Sequence, residues 1–150
     1  MNFKSSEHEE TYKKFCQNCF PDDRERKAMF YILSGCRKFI DNIHKIYDFK
    51  RGKLAFLPGE LPEGLMFSSS EKALFKLACN LYNSSYESMS VNDTFRNLDP
   101  DNYKLVIESL RIRFEPEAWY IQPISRRRER KEQNEYISEG FKLESETGHI

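Results

Sequence analysis

Apolar residues recur at helical spacing in several segments of this 150-residue chain, and each segment is bounded by a capping residue, a proline or a glycine. The clearest segment starts at Asp99, a favoured N-cap residue, with Pro100 at the first helical position. Its apolar face consists of Tyr103, Val106, Ile107, Leu110 and Phe114. Spacing of three and four residues is typical of an amphipathic helix that packs on a core. This pattern predicts a mainly α-helical fold.

The other helical segments predict a compact bundle of about five helices. They cover residues 6–20, 22–34, 36–47 and 68–82, with one short further turn around Phe95. Capping boxes open the first and the last of these four, at Ser6 with Glu9 and at Ser68 with Glu71. Gly35 follows a serine and separates the second segment from the third, because glycine is a poor residue for a helix interior.

Residues 48–67 interrupt the helical pattern. A turn-forming stretch at residues 48–53 precedes the short apolar run Leu54–Leu57, and prolines and glycines follow. We expect a small hairpin or short strands here. An α+β fold is therefore the alternative to a purely helical bundle.

The charge pattern changes towards the C-terminus. Residues 111–131 carry seven Lys and Arg against three Glu, whereas residues 132–150 carry one Lys against five Glu. We predict a helical core domain over residues 1–118. The charged C-terminal extension, residues 119–150, is predicted to pack on that core or to bind a partner.

Composition narrows the classes of function. The chain has 24 Lys and Arg and 24 Asp and Glu, and this balance excludes a uniformly basic nucleic-acid-binding protein. The sequence contains no apolar run of the roughly 18 residues that a transmembrane helix needs, and residues 1–6 do not resemble a signal peptide. We expect a cytoplasmic protein that does not bind membranes, with cysteines present as thiols or metal ligands.

The cysteines allow two interpretations. Cys16 and Cys19 form a C-x2-C pair, the usual half of a zinc site, and Cys36 follows with sixteen residues between. A fourth ligand would have to come from Cys79, from an aspartate or from His149. All four cysteines also lie on apolar helical stripes, where a free cysteine packs as a small hydrophobe. Core thiols, and a zinc ion bound by Cys16, Cys19 and Cys36, are both retained as hypotheses.

No motif for catalysis is present. The histidine that follows Cys36, His44, is two helical turns away, which is beyond the reach of a Cys–His catalytic pair. His8 and His44 are expected at the surface or at the edge of the core. The sequence also lacks a glycine-rich phosphate loop before a helix and the serine-nucleophile motif. We therefore predict a non-enzymatic protein with no firm cofactor.

A basic run in the C-terminal extension is the main candidate for binding. Its cationic residues are Arg126, Arg127, Arg128, Arg130 and Lys131. Trp119 and Tyr120 lie just before it, and aromatic residues of this kind are enriched at interfaces. The run would dock on an acidic protein surface or bind nucleic-acid phosphates. A solvated helix face, with Arg paired to the following Glu, is the third interpretation.

Five segments recur in an order that is similar to a known family. They are Phe3 with residues 7–9, and residues 27–33, 40–49, 77–83 and 107–114. Together, over about residues 3–116, they resemble a small uncharacterised domain family found in Firmicutes, their phages and mobile elements. That family has no established activity, so the resemblance implies no catalytic residues.

The phage and mobile-element origin of this family carries an expectation about function. Small proteins of such genomes that lack catalytic motifs include inhibitors of host defence, among them anti-CRISPR proteins that bind Cas9. The resemblance therefore implies a protein-binding inhibitor of a bacterial defence effector, with a Cas9-type effector as partner. Trp119, Tyr120 and the basic run would form the contact. A nucleic-acid-binding accessory protein that uses residues 126–131 is the alternative.

Overall fold

The structure is a computed structural model that describes residues 1–115. Within them the chain forms seven α-helices, one 3₁₀ turn and two short strands. In chain order these are α1 (Ser6–Phe15), the 3₁₀ turn (Cys16–Asn18), α2 (Arg24–Ser34), α3 (Arg37–Asp41), α4 (Ile43–Ile46), β1 (Tyr47–Asp48), β2 (Lys53–Leu54), α5 (Ser69–Tyr82), α6 (Val91–Phe95) and α7 (Pro100–Phe114). The predicted fold class, mainly α with a small hairpin, is confirmed. Met1–Phe114 form one compact unit, and the predicted domain boundary at residue 118 lies outside the described residues.

Helix α2 lies at the centre of the fold. All seven residues from Ala28 to Ser34 are buried, so this helix has no solvent-exposed face over two turns. A helix that is apolar on every side has to be covered on every side. Helices α5 and α7 pack on α2 most extensively, and α1 covers a further side. The rings of Phe30 and Tyr31 are among the largest fully buried side chains of the molecule.

The predicted break after α2 is confirmed, and it coincides with a close approach to α7. Helix α2 ends at Ser34 and Gly35 is its C-cap. A Cβ atom added to Gly35 would lie 2.5 Å from Leu105 Cδ1 of α7. Leu105 is fully buried and has little room to move. The glycine therefore allows the end of α2 to pack directly against α7.

The first helix differs from the prediction at both ends. Ser5 is the N-cap in place of Ser6, since its Oγ accepts a hydrogen bond from the His8 N–H at 3.1 Å. His8, Tyr12 and Phe15, spaced four and three residues apart, share one buried face of the helix. The helix ends at Phe15, because residues 16–18 tighten into the 3₁₀ turn before the loop to α2.

The hairpin between α4 and α5 has a defined register. Strands β1 and β2 pair antiparallel, with Tyr47 opposite Leu54. The Asp48 carboxylate accepts hydrogen bonds from the backbone N–H groups of Lys50 and Arg51, at 3.0 and 3.1 Å. Gly52 closes the turn at φ +66°, in the left-handed region that favours glycine. This turn brings residues 49–52 against the start of α2.

The predicted caps of the two longest helices are confirmed. Ser68 and Glu71 form a capping box at α5, with hydrogen bonds of 3.2 Å to the Ser68 Oγ and 2.8 Å to the Glu71 carboxylate. At α7 the Asp99 carboxylate accepts from the Asn102 N–H at 2.8 Å. Among the helices of residues 1–115, none combines the length and the apolar character needed to cross a membrane.

The capping box at α5 yields a first prediction. Ser68→Ala removes the acceptor for the Glu71 N–H and is expected to lower the free energy of unfolding by about 1 kcal/mol. Ser69→Ala is the matched control, because Ser69 is exposed at the first position of the same helix; its effect is expected to stay below about 0.5 kcal/mol. Urea denaturation of both variants measures the difference. Equal effects would show that the box does not stabilise α5.

Candidate functional site

Three helix termini meet at one end of the bundle: the start of α2 and the ends of α5 and α7. Arg113, in the last turn of α7, connects them. Its guanidinium forms an ion pair with Glu25 of α2 at 2.9 Å. Its Nε donates a hydrogen bond to the Leu81 carbonyl of α5 at 3.2 Å. This arginine therefore holds the three termini in one place.

Three phenylalanine side chains are exposed at this same end. Phe20 in the loop before α2 is 71 % exposed, Phe49 in the hairpin turn 45 % and Phe114 at the end of α7 61 %. The Phe49 ring is held in place by stacking on Phe30, with centroids 5.8 Å apart. Large exposed aromatic rings are costly to hydrate, and grouped ones are typical of binding surfaces.

Arg26 fixes the hairpin turn to this end. One guanidinium nitrogen pairs with the Asp23 carboxylate at 2.9 Å, and another donates to the Gly52 carbonyl at 3.2 Å. The same carbonyl accepts from the Tyr82 hydroxyl at 3.3 Å. Helix α2, the turn and α5 thus share one hydrogen-bonded cluster. We refer to the surface made by Phe20, Phe49, Phe114, Arg26 and Arg113 as the aromatic end.

The aromatic end carries a net positive charge. Its segments, residues 20–27, 48–53 and 111–114, contain eight Lys and Arg against four Asp and Glu. The 24 cations and 24 anions of the whole chain cancel. The net positive charge of the aromatic end is therefore not visible in the composition of the whole chain. This charge favours binding to acidic surfaces.

The predicted partner-binding residues lie outside the described residues. They are Trp119, Tyr120, Arg126, Arg127, Arg128, Arg130 and Lys131. Helix α7 ends at the aromatic end, five residues before Trp119 in the sequence. Their proposed role as a binding segment stays a prediction.

Cys16 and Cys19 lie side by side between α1 and α2. The Cys19 N–H donates to the Cys16 carbonyl at 2.9 Å and closes the 3₁₀ turn. The Cys16 thiol lies near that of Cys19 and near the Tyr12 hydroxyl. Burial raises the pKa of Cys16 to about 12 and also raises the pKa of Cys19. Both groups are therefore protonated thiols at neutral pH.

The third predicted zinc ligand lies apart from this pair. Cys36 is the N-cap of α3. Burial, with a smaller contribution from the Glu71 carboxylate, raises the pKa of its thiol. Cys79 is buried in α5, and burial raises its pKa. In the part of the chain that the structure describes, no three His, Cys, Asp or Glu side chains are close enough to hold a metal ion. His149 lies outside that part, and zinc binding stays a prediction.

The expectation for His8 was wrong. His8 is only 3 % exposed and packs edge-on against Phe3, with ring centroids 5.1 Å apart. Its Nδ1 accepts from the Lys4 N–H at 3.2 Å, so Nε2 carries the hydrogen and donates to the Tyr31 carbonyl at 2.9 Å. Both ring nitrogens of the neutral histidine therefore have a hydrogen-bond partner. Burial lowers the pKa of His8. The spacing of His8, Tyr12 and Phe15 was the signal that could have placed it inside.

Two open grooves lie away from the aromatic end. The first, about 280 Å³, lies between α5 and α6 and is lined by Lys72, Lys76 and Asp93, among others. The second, about 600 Å³, lies between α4 and the loop that follows β2, and it includes Lys45 and Glu63. Side chains of both signs line each groove, so neither has a clear preference for an anion or a cation.

Residues 1–126 match a family of unknown function, DUF6075. The chain belongs to DUF6075. This membership confirms the predicted resemblance to a small uncharacterised domain family. Comparisons with curated proteins and with solved structures found no match.

The DUF6075 match includes some of the predicted partner-binding residues. It covers every residue that the structure describes and extends beyond residue 116, where the resemblance was expected to end. Trp119, Tyr120 and Arg126 fall inside the DUF6075 segment, whereas residues 127–131 follow it. The family description assigns no activity.

The neutral His8 yields a prediction about pH. The folded protein binds a proton at this ring less readily than the unfolded chain, whose histidine pKa is about 6.5. The stabilisation is therefore complete above about pH 6.5 and decreases as the pH falls towards the lower pKa of the folded state. We expect the free energy of unfolding to decrease between about pH 7 and pH 5 more steeply in the wild type than in His8→Gln.

The exposed His44 provides the matched control for this experiment. His44→Gln should retain the steep wild-type decrease, since its ring is outside the core. Chemical denaturation at a series of pH values measures all three proteins. An identical pH profile for wild type and His8→Gln would show that His8 is not the group responsible.

Proposed function

We propose that this DUF6075 member is a non-enzymatic protein that binds another protein through its aromatic end. The observation that carries the proposal is the exposure of Phe20, Phe49 and Phe114 together on one positively charged end. Aromatic residues and arginine are the types most enriched at protein interfaces. Burial of one such ring contributes on the order of 2 kcal/mol to association.

Charge defines the chemistry of the partner. Eight Lys and Arg against four Asp and Glu at the aromatic end favour an acidic protein surface. The arginines are held in fixed positions by Glu25, by Asp23 and by backbone carbonyls. Preorganised cations reduce the entropy lost on binding and increase the rate of encounter.

The partner that we propose is a bacterial defence effector of the Cas9 type, which this protein would inhibit in the host cytoplasm by covering its surface. Support comes from the resemblance to small domains of Firmicute phages and mobile elements. The basic run at residues 126–131, with Trp119 and Tyr120, would extend the contact.

Nucleic-acid binding is the second candidate function. The positive charge of the aromatic end and the basic run at residues 126–131 both favour phosphates. In this role the protein would be an accessory protein without base-specific contacts. Capture experiments from a host lysate with and without nuclease separate the two functions, because a complex bridged by nucleic acid is lost after nuclease treatment.

Substitution of the exposed rings tests the aromatic end. Phe20→Ser and Phe114→Ser remove rings that are largely exposed in the structure. We expect each to weaken binding to a purified Cas9-type effector about tenfold or more, which corresponds to about 1.4 kcal/mol. Surface plasmon resonance measures the affinities, and circular dichroism verifies that the variants are folded.

Met66 provides the control for these variants. Its side chain is 87 % exposed, and it lies just before α5, at the opposite end of that helix from Tyr82. Met66→Ser should leave the affinity unchanged. Full binding by the Phe20 and Phe114 variants would contradict the proposed surface, and equal losses in all three would indicate a nonspecific effect.

Charge reversal tests the basic run separately. We expect Arg126, Arg127 and Arg128, all replaced by Glu, to reduce the association rate about tenfold at low salt, with a smaller difference at high salt. Stopped-flow association at two ionic strengths measures this change. Association at the wild-type rate at low salt would assign the run to a solvated helix face.

A further inference from the structure

The tight turn between α1 and α2 holds Cys16 and Cys19 three residues apart, closed by the hydrogen bond from the Cys19 N–H to the Cys16 carbonyl. We infer that Cys16 and Cys19 form a reversible intramolecular disulfide by exchange with a low-molecular-weight disulfide such as oxidised glutathione. This turn would then be a dithiol redox site. The inference does not depend on the proposed partner, because its chemistry involves the chain and a small disulfide alone.

Backbone geometry supports disulfide formation. The hydrogen bond from the Cys19 N–H to the Cys16 carbonyl, 2.9 Å long, closes a 3₁₀ turn. In a turn closed in this way the first and fourth Cα atoms lie less than about 7 Å apart. Bridged cysteines usually have Cα atoms about 4.4–6.8 Å apart. The dithiol therefore needs side-chain rotation and no rearrangement of the helices.

The two thiols are accessible and are not equivalent. Both cysteines are partly exposed, whereas Cys79 is buried. Cys16 is the more deeply buried of the two, so the Cys19 sulfur is the more accessible to a disulfide in solution. Cys19 is therefore assigned as the attacking residue and Cys16 as the resolving residue.

The exchange is balanced in two steps. Cys19 loses its proton to solvent, and its sulfur attacks one sulfur of oxidised glutathione, so that a mixed disulfide forms and one glutathione thiolate leaves. Cys16 then loses its proton, attacks the Cys19 sulfur and releases the second glutathione thiolate. The two cysteines are oxidised, and one molecule of oxidised glutathione is reduced to two of glutathione. Excess reduced glutathione reverses both steps.

A peptide map of the full chain tests the inference. Trypsin cleaves after Lys14 and Arg24, and the peptide between these sites contains Cys16 and Cys19 and no other cysteine. After treatment with oxidised glutathione and blocking of free thiols, this peptide should be lighter than its reduced form by two hydrogen atoms. Cys36 and Cys79 should be recovered with the blocking group. Recovery of the peptide with both thiols blocked, or with a stable glutathione adduct, would overturn the inference.

Two variants distinguish the pair from the other cysteines. Cys16→Ser lacks the resolving thiol and should retain one glutathionyl group on Cys19. Cys36→Ser is the matched control and should form the disulfide as the wild type does. A disulfide in Cys16→Ser, or its loss in Cys36→Ser, would assign the reactive pair elsewhere and contradict the inference.

The metal content of the untreated protein provides the last measurement. Oxidation requires free thiols, whereas thiolates that hold zinc are protected from exchange. We expect oxidised glutathione to give the disulfide at the same rate with and without a chelator. One zinc per chain, together with disulfide formation only after chelation, would assign the pair to a zinc site and overturn the inference.

Discussion

Burial of α2 is the constraint on which the rest of the structure depends. Seven consecutive residues from Ala28 to Ser34 cannot contact water, so the chain has to surround one helix with others. Helices α1, α5 and α7 provide this cover, although they are distant from one another in the sequence. The aromatic end follows from this arrangement, because it forms where α2 begins and its two main neighbours end.

The helices of this fold could be predicted because their signals are local. Apolar stripes, the Ser68–Glu71 capping box and the Asp99 cap each depend on residues within one or two turns. The start of α1 shows the limit of this approach. Ser5 and Ser6 are both good caps in the sequence, and in the structure it is the Ser5 side chain that accepts from the His8 N–H. The spacing of His8, Tyr12 and Phe15 could have indicated that His8 is buried, but its hydrogen bond to the Tyr31 carbonyl joins segments that are distant in the sequence.

The candidate site could be predicted only in part. The C-x2-C spacing puts Cys16 and Cys19 in one tight turn, because residues three apart are joined by the hydrogen bond that closes it. Cys36 was predicted as a third zinc ligand only because it is a cysteine, and in the structure it is the N-cap of α3. The aromatic end was missed, since Arg113 meets Glu25 and Leu81 only after three helices have packed. Interactions between distant segments carry no signal in the spacing of a single sequence.

The contact between Gly35 and Leu105 has a consequence for how this chain can vary. A side chain at position 35 would need the space that the Leu105 methyl groups occupy, with 2.5 Å between the atoms concerned. A larger residue at position 35 therefore requires a smaller one at position 105, and each change alone leaves either an overlap or a void. The two positions form a linked pair in which the order of substitutions matters. A chain that first shortens residue 105 can then gain a side chain at position 35, whereas the reverse order passes through an overpacked core.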